Sequence, residues 1–466
     1  MGAPGDRREE RTTVDLSVLM LIIGVLVLLL ALGVHIGFAL GLAGISGMLI
    51  LIGVRGTVAN LSVIPYNSTA LYSLAIVPMF VLMGAFFTRT GFTADAFNVA
   101  QMWLGRIKGG LAATTVVACA VFGAVTGSSI ANAAVFSRIA IPEMTRNGID
   151  KRLAAGSVAA AGTLASLIPP SLLIVIFGII TDQSIRLLLI AGILPGILSV
   201  AVYIGGIMIR VRLKPALLTN GAAGAAAEQS DRPVQVVEMP RYSWRQKFAA
   251  LQQLWGAGFV FGVVLGGIYL GWFTPTQAGA IGAFAAFLLV FLPGRRIGIT
   301  GIWHSLRETG VTTGSIVMIL IGGTFMGRFL GYSGVIKQVN DTLLGLELSK
   351  YGYLLIFALI VIALGMFLEA FAIMVIVLPV MYPLLVSVGF DPIFIGIITI
   401  KLVEIGLITP PVGLNAYVVK SASPIPLTLG ETFSGVLPFL VLDVTTVLLL
   451  VAFPEIVLLL PRLATG

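Results

Sequence analysis

Runs of about 20 apolar residues, enough for a helix to cross a hydrocarbon core of ~30 Å, follow one another along almost the whole chain. Their limits predict spanning helices at 16–34, 36–54, 72–88, 153–181 and 187–210, and again at 248–272, 276–293, 310–331, 392–420 and 433–460. Two more apolar stretches, 111–142 and 352–387, are interrupted near the middle by small or polar residues. In the first, the arm Ile130–Pro142 has 13 residues and reaches only about 20 Å as a helix. Both stretches are therefore expected to be re-entrant hairpins, with tips at Gly127–Ser129 and near Gly365–Glu369. Two segments stand apart as polar. Residues 1–15 are a tail of mixed charge, and 212–247 reads as a surface linker, Gly/Ala-rich and then basic at Arg241, Arg245 and Lys247. No small-residue cleavage site follows the first apolar run, so 16–34 is read as a retained helix.

Two spans carry a proline pair, Pro169-Pro170 and Pro410-Pro411. Proline lacks an N–H and clashes with the carbonyl four residues back, so each pair breaks its helix. The carbonyls of Ala165 and Ser166, and of Gly406 and Leu407, are then expected to seek partners outside their own helix. These stretches repeat. Residues 127–178 align without a gap to 368–419 at an offset of 241, so that Pro142 meets Pro383, Gly148 meets Gly389, and Asp150 meets Asp391. Upstream, Met83-Gly84-x-Phe86 and Gly91 match Met326-Gly327-x-Phe329 and Gly334 at an offset of 243. The chain therefore reads as a duplication of 16–211 in 248–466, each half with five spans, one of them broken, and one hairpin. An odd number of crossings inverts the second half. The expected fold class is all-α and polytopic, with two inverted-topology repeats.

Composition agrees. The 466 residues are 58% hydrophobic and 10% charged, against roughly 25% charged in soluble domains. One cysteine, Cys119, excludes a disulfide framework, and two histidines, His35 and His304, do not make a metal cluster. The net charge of +8 suggests nucleic acid only until the charges are located in the loops, where topology explains them. On one side fall Arg89, Arg106, Lys108, Arg146, Lys151 and Arg152, joined by Arg212, Lys214, Arg232, Arg241, Arg245 and Lys247 of the linker. The other side has Arg7, Arg8, Arg11, Arg55 and Arg186. Twelve against five makes the first side cytoplasmic, and Arg295, Arg296 and Arg307 fall there too. The linker is then cytoplasmic and both termini lie outside, on what the family resemblance named below makes the periplasmic side. The hairpins enter from opposite sides, as alternating access requires.

The hairpin tips and helix breaks hold the candidate chemistry. Gly127, Ser128, Ser129 and Asn132 offer hydroxyl, amide and backbone oxygens opposite a broken helix with Thr163, Ser166, Pro169, Pro170 and Ser171. Oxygens of this kind suit a hard cation such as Na⁺. A lone Ser would more simply bond back to its own helix, but the cluster opposite a break favours a site. In the second half, Thr409-Pro410-Pro411-x-Gly413-x-Asn415 repeats the design, with Thr409 expected to cap the half-helix after the prolines. Gly406, Gly413 and Asn415, with Gly365 and Glu369 of the second tip, complete the ion-site candidates. Ser129, Asn132, Ser171 and Asn415 are the substrate-site candidates. An intramembrane carboxylate such as Glu369 is a coupling or gating candidate. Glu404 lies three residues after Lys401, so the two are expected to pair on one helix face. Asp443 and Arg138 read as packed or snorkelling structural residues.

The stretches TGSSIANAAVFSRIAIPEMTRNGIDKRLAAGSVAAAGTLASLIPPS and GFDPIFIGIITIKLVEIGLITPPVGLNAYVV closely resemble the large (DctM-type) membrane subunit of tripartite ATP-independent periplasmic (TRAP) transporters, and the resemblance runs from about residue 16 onward. It implies a secondary transporter of the bacterial inner membrane with an elevator mechanism, in which a scaffold holds a transport domain built from both hairpins and both broken helices. It further implies Na⁺ as coupling ion with no other cofactor. The substrate would be a carboxylate-bearing solute (a C4-dicarboxylate, sialic acid or other sugar or organic acid) delivered by a periplasmic DctP-type binding protein. A small four-helix subunit of DctQ type is expected as a separate chain, since only fifteen polar residues precede residue 16. The linker is longer than is usual in the family.

Two other function classes compete. A stand-alone anion/sodium symporter or antiporter of the same superfamily would need no binding protein. An intramembrane serine enzyme would need a base beside Ser128 or Ser129, and neither histidine lies within a predicted span core.

Overall fold

The structure, a computed structural model, describes residues 16–107, 109–218, 241–291 and 297–465. The polar tail, Lys108, the 219–240 part of the linker (with Arg232), and Arg295 and Arg296 lie outside the described residues. Among the described residues, seven helices are long and apolar enough to cross a membrane, or eight when the pair Lys151–Leu167 and Leu172–Thr181, bent by 46°, counts as one span. The count falls below the ten crossings read from the sequence for physical reasons. Leu16–Ala31 and Pro275–Leu289 are short helices of 16 and 15 residues. The helices Pro392–Ile408 and Leu414–Ala422, of 17 and 9 residues, are each too short and are parted by the longer break 409–413, whereas Ala370–Ser387, read from the sequence as a hairpin arm, is itself long and apolar enough to cross.

The helices expected for both broken spans and both hairpins are present, with altered limits. Hairpin 1 consists of Gly110–Thr126 and Ser129–Arg146, and hairpin 2 of Lys350–Gly365 and Ala370–Ser387. The second arm of hairpin 1 has 18 residues, about 27 Å of helix, so the length argument from Ile130–Pro142 fails. Pro142 does not end that arm, because the helix runs on through it to Arg146. Ile36–Thr69 is likewise one long element, kinked at Gly53 (φ +70°) near the expected end of its span and then resuming. The last span divides into Leu429–Ala452 and Glu455–Thr465, with Phe453 and Pro454 between. Phe92–Leu104 and Val335–Leu344 are helices that hydropathy alone did not predict. Each follows a left-handed glycine, Gly91 at φ +77° and Gly334 at φ +73°, at matching places of the duplication.

Other aligned positions share their local geometry as well. Gly148 and Gly389 have φ of +79° and +91°. Asp150 and Asp391 each cap the helix that follows. Pro169-Pro170 and Pro410-Pro411 are both cis.

The chain forms two compact units that do not follow the halves of the duplication. One comprises, of the described residues, 16–74, 313–357 and 371–390. Its core gathers Leu40, Ala43 and Met48 with Phe325, Met326 and Phe329. Small residues let its two long helices touch, since a Cβ on Gly44 would lie 2.6 Å from the backbone at Met326. The other unit comprises the described residues within 75–312, 358–370 and 391–465. It contains hairpin 1, both broken helices and the tip of hairpin 2, and therefore all the candidate ion- and substrate-site residues.

Candidate functional site

Hairpin 1 turns at Gly127 and Ser128. Gly127 adopts φ +61°, and a Cβ there would also meet the Pro170 carbonyl oxygen at 2.8 Å, so glycine is required for both reasons. The tip thus rests directly on the break of the neighbouring helix. Ser128 Oγ accepts the Ala131 N–H at 3.3 Å and starts the second arm. At the break, Ser171 Oγ accepts the Ile174 N–H at 3.4 Å and donates its own proton to the Ser166 carbonyl. The Ser166 carbonyl therefore has a partner. Ser171→Ala should remove a helix cap and free that carbonyl, lowering stability by about 1 kcal/mol in a thermal unfolding assay. No change would mean that neither bond matters.

The second half uses the same plan with different side chains. Gly413, at φ +53°, precedes Leu414–Ala422 without any side-chain cap. Thr409 does not cap that half-helix: its hydroxyl donates to the Ile405 carbonyl at 2.6 Å, and its N–H closes the Gly406 carbonyl at 3.0 Å. The expectation fails because Thr409 still belongs to the last turn of the first half-helix, where back-bonding is the nearer option. The tip of hairpin 2 meets this break through the Gly413 N–H, which donates to the Met366 carbonyl at 3.4 Å. Gly365 and Gly406 are packing residues, and a Cβ on either would come within 2.7 Å of the other's Cα. The corresponding crossing in the first half is Gly123 against Ala165. Glu369 is half-buried at the start of the second arm.

Ser129, Asn132 and Asn415 are all buried, on helices that pack together: Ser129–Arg146 lies against Lys151–Leu167, and Leu414–Ala422 lies against both. Asn132 Nδ2 donates to the Cys119 carbonyl at 2.9 Å and the Gly162 carbonyl at 3.4 Å, tying both hairpin arms to the first broken helix. Its Oδ1, and both amide atoms of Asn415, are buried without a hydrogen bond. Glu404 joins them. It is 2% exposed, and neither carboxylate oxygen has a hydrogen bond of normal geometry, with Ser166, Ser129 and Lys401 among the groups acting on it. Buried polar atoms in native proteins are nearly always paired. Of these five orphaned atoms four are oxygens, a donor set that fits a hard monovalent cation.

Lys401 does not pair with Glu404. Its ammonium forms an ion pair with Asp443 Oδ1, both side chains being 2% exposed, and lies 5.4 Å from the centre of the Tyr203 ring. Tyr203 donates to the same Asp443 oxygen at 2.7 Å and meets Thr163 Oγ1 at 3.4 Å. Thr163 thus belongs to this closed network and not to the open oxygens. Asp443 is its buried centre and does not snorkel, whereas Arg138 is exposed. Tyr203 was not expected here. No local sequence signal links it to Asp443, since the two are 240 residues apart.

Residues 23–456 match the family described as the tripartite ATP-independent periplasmic transporter, DctM component. This chain belongs to the DctM family. A Pseudomonas aeruginosa C4-dicarboxylate TRAP transporter large permease is 34% identical over 427 residues, covering 90% of this chain and 93% of the relative. A Vibrio cholerae sialic acid TRAP large permease is 30% identical, covering 85% and 87%, and a Halomonas elongata ectoine TRAP large permease is 29% identical, covering 94% and 97%. The YdaH transporter of Alcanivorax borkumensis shares the fold, with a TM-score of 0.57 at 15% identity, over 94% of this chain and 99% of that one. As a DctM protein the chain is a multi-pass membrane protein, the large permease subunit of a secondary transporter of tripartite type and not an enzyme.

Proposed function

We propose that this DctM protein imports a carboxylate-bearing solute across the bacterial inner membrane, coupled to Na⁺, after delivery by a periplasmic binding protein of DctP type. A separate small subunit of DctQ type completes the assembly. The observation that carries the Na⁺ reading is the set of orphaned buried oxygens on Asn132, Glu404 and Asn415, beside two broken helices. These oxygens, with the Ser129 hydroxyl, would hold the ion, which supplies positive charge next to the bound carboxylate. Ser129, Asn132, Ser171 and Asn415 remain the substrate candidates. An elevator motion is supported by the gathering of hairpin 1, both broken helices and the second tip in one compact unit.

Three contacts support the assigned sidedness, because each joins groups that the charge-based topology puts on one face. Arg89 pairs with Glu308 at 3.1 Å and Lys151 with Glu431 at 2.7 Å on the cytoplasmic face. Arg186 donates to the Ile268 and Tyr269 carbonyls, at 3.0 and 2.9 Å, on the periplasmic face.

The test is uptake of labelled organic acids into proteoliposomes holding this chain and its small partner, under an inward Na⁺ gradient, with and without the binding protein. Uptake that requires both is expected. Na⁺-driven uptake without binding protein would replace the tripartite reading with a stand-alone symporter. Asn415→Ala should raise the Na⁺ concentration for half-maximal uptake roughly tenfold or more, the loss of one bond to a charged ligand. An unchanged Na⁺ dependence would remove Asn415 from the ion site.

A further inference from the structure

A cavity of about 540 Å³ lies between helices Ile193–Leu213 and Leu429–Ala452, away from the hairpin tips. The two helices touch at Gly206, where a Cβ would lie 2.2 Å from a Leu442 methyl carbon. The apolar wall includes Ile209 and Leu437, which are 59% and 53% exposed. Its polar groups are Arg210, Lys214 and Ser434. Arg210 Nη1 is buried without a hydrogen bond. Asp150 acts on the Arg210 charge, but its Oδ1 accepts the Arg152 N–H instead. Lys214 follows Arg210 by one turn. Pro438 has no N–H to give the Ser434 carbonyl four residues back, so that carbonyl can accept a bond from a ligand.

Two cations one turn apart, a free carbonyl and an apolar wall form an amphipathic binding site at one end of a spanning helix. A soluble anion would leave the apolar wall unused, and a neutral hydrocarbon would leave Arg210 unpaired. Basic pockets between spanning helices on the cytoplasmic side suit lipid phosphates. We propose that this groove binds an anionic phospholipid of the cytoplasmic leaflet. Arg210 and Lys214 hold the phosphate, a headgroup hydroxyl donates to the Ser434 carbonyl, and an acyl chain lies along Ile209 and Leu437.

The experiment is native mass spectrometry of the full-length chain taken from nanodiscs of phosphatidylcholine with a minor fraction of phosphatidylglycerol. The expected result is preferential retention of phosphatidylglycerol. Arg210→Ala/Lys214→Ala should weaken that retention roughly thirtyfold, as removal of two basic side chains at a membrane surface predicts. Arg212→Ala, at the same helix end but outside the cavity, should leave retention intact. Leu437→Trp should lower it with all charges in place, and serves as the test if the double variant does not fold. Equal retention of the two lipids, or an equal loss with Arg212→Ala, would overturn the proposal as unspecific attraction. Retention seen only after deletion of residues 219–240 would also overturn it, making the linker the occupant.

Discussion

Lys401→Met is expected to lower stability by about 3–5 kcal/mol, the usual result of leaving one member of a buried ion pair without its partner. Lys401 and Asp443 are each 2% exposed, so Asp443 would keep a buried negative charge with only the Tyr203 hydroxyl to bind it. The loss should appear as a sharply lower midpoint in thermal unfolding of the purified protein and as reduced monodisperse yield. Lys401→Met/Asp443→Asn should recover most of it, because the asparagine oxygen still accepts from Tyr203 and neither position of the pair keeps a buried charge. A double variant as unstable as the sum of the two single ones would show that the residues act independently.

A loss of about 3 kcal/mol, the upper end of what overpacking usually costs, is expected from Gly435→Ala. Helices Lys151–Leu167 and Leu429–Ala452 run in backbone contact. A Cβ on Gly435 would lie 1.9 Å from the Arg152 carbonyl oxygen, and one on Gly156 would lie 2.1 Å from the Gly435 carbonyl oxygen. The obstructing atoms are backbone, so the helices themselves would have to separate, and the Lys151–Glu431 pair would stretch with them. Gly430→Ala, on the same helix with nothing within 4 Å, is the control and should be neutral or slightly stabilising. Equal stability of the two variants would mean that this contact is looser than the geometry indicates.

What the sequence disclosed and what it hid follow from the range of the forces involved. Proline and glycine act locally, so the breaks at Pro169-Pro170 and Pro410-Pro411 and the turn at Gly127 were legible at single-residue scale. Amphipathic helices too short to span, such as Phe92–Leu104, do not register in a hydropathy profile, although the paired Gly91 and Gly334 marked their starts. The choice of hydrogen-bond partner was not legible. Thr409 had a cap and its own helix to choose between, and Lys401 had Glu404 nearby in sequence and Asp443 nearby in space. The relatives fix the family, and they are named for C4-dicarboxylate, sialic acid and ectoine, so the family alone does not select a solute.

The ion pair of Lys401 and Asp443 has an electrical consequence. A charge carried across the membrane potential does work of ~2.3 kcal/mol per 100 mV, but a pair of opposite charges moving together does none. With Lys401 and Asp443 cancelling, the ledger of buried residues near the candidate ion site reduces to Glu404. When Glu404 is ionised, one monovalent cation makes that group electrically silent. Under the proposed coupling, the loaded step would then move only the cations beyond that first one, less the charge of the solute, and the empty return step would carry the Glu404 charge back, so over a whole cycle the current-to-flux ratio reads the full cation count less the solute charge.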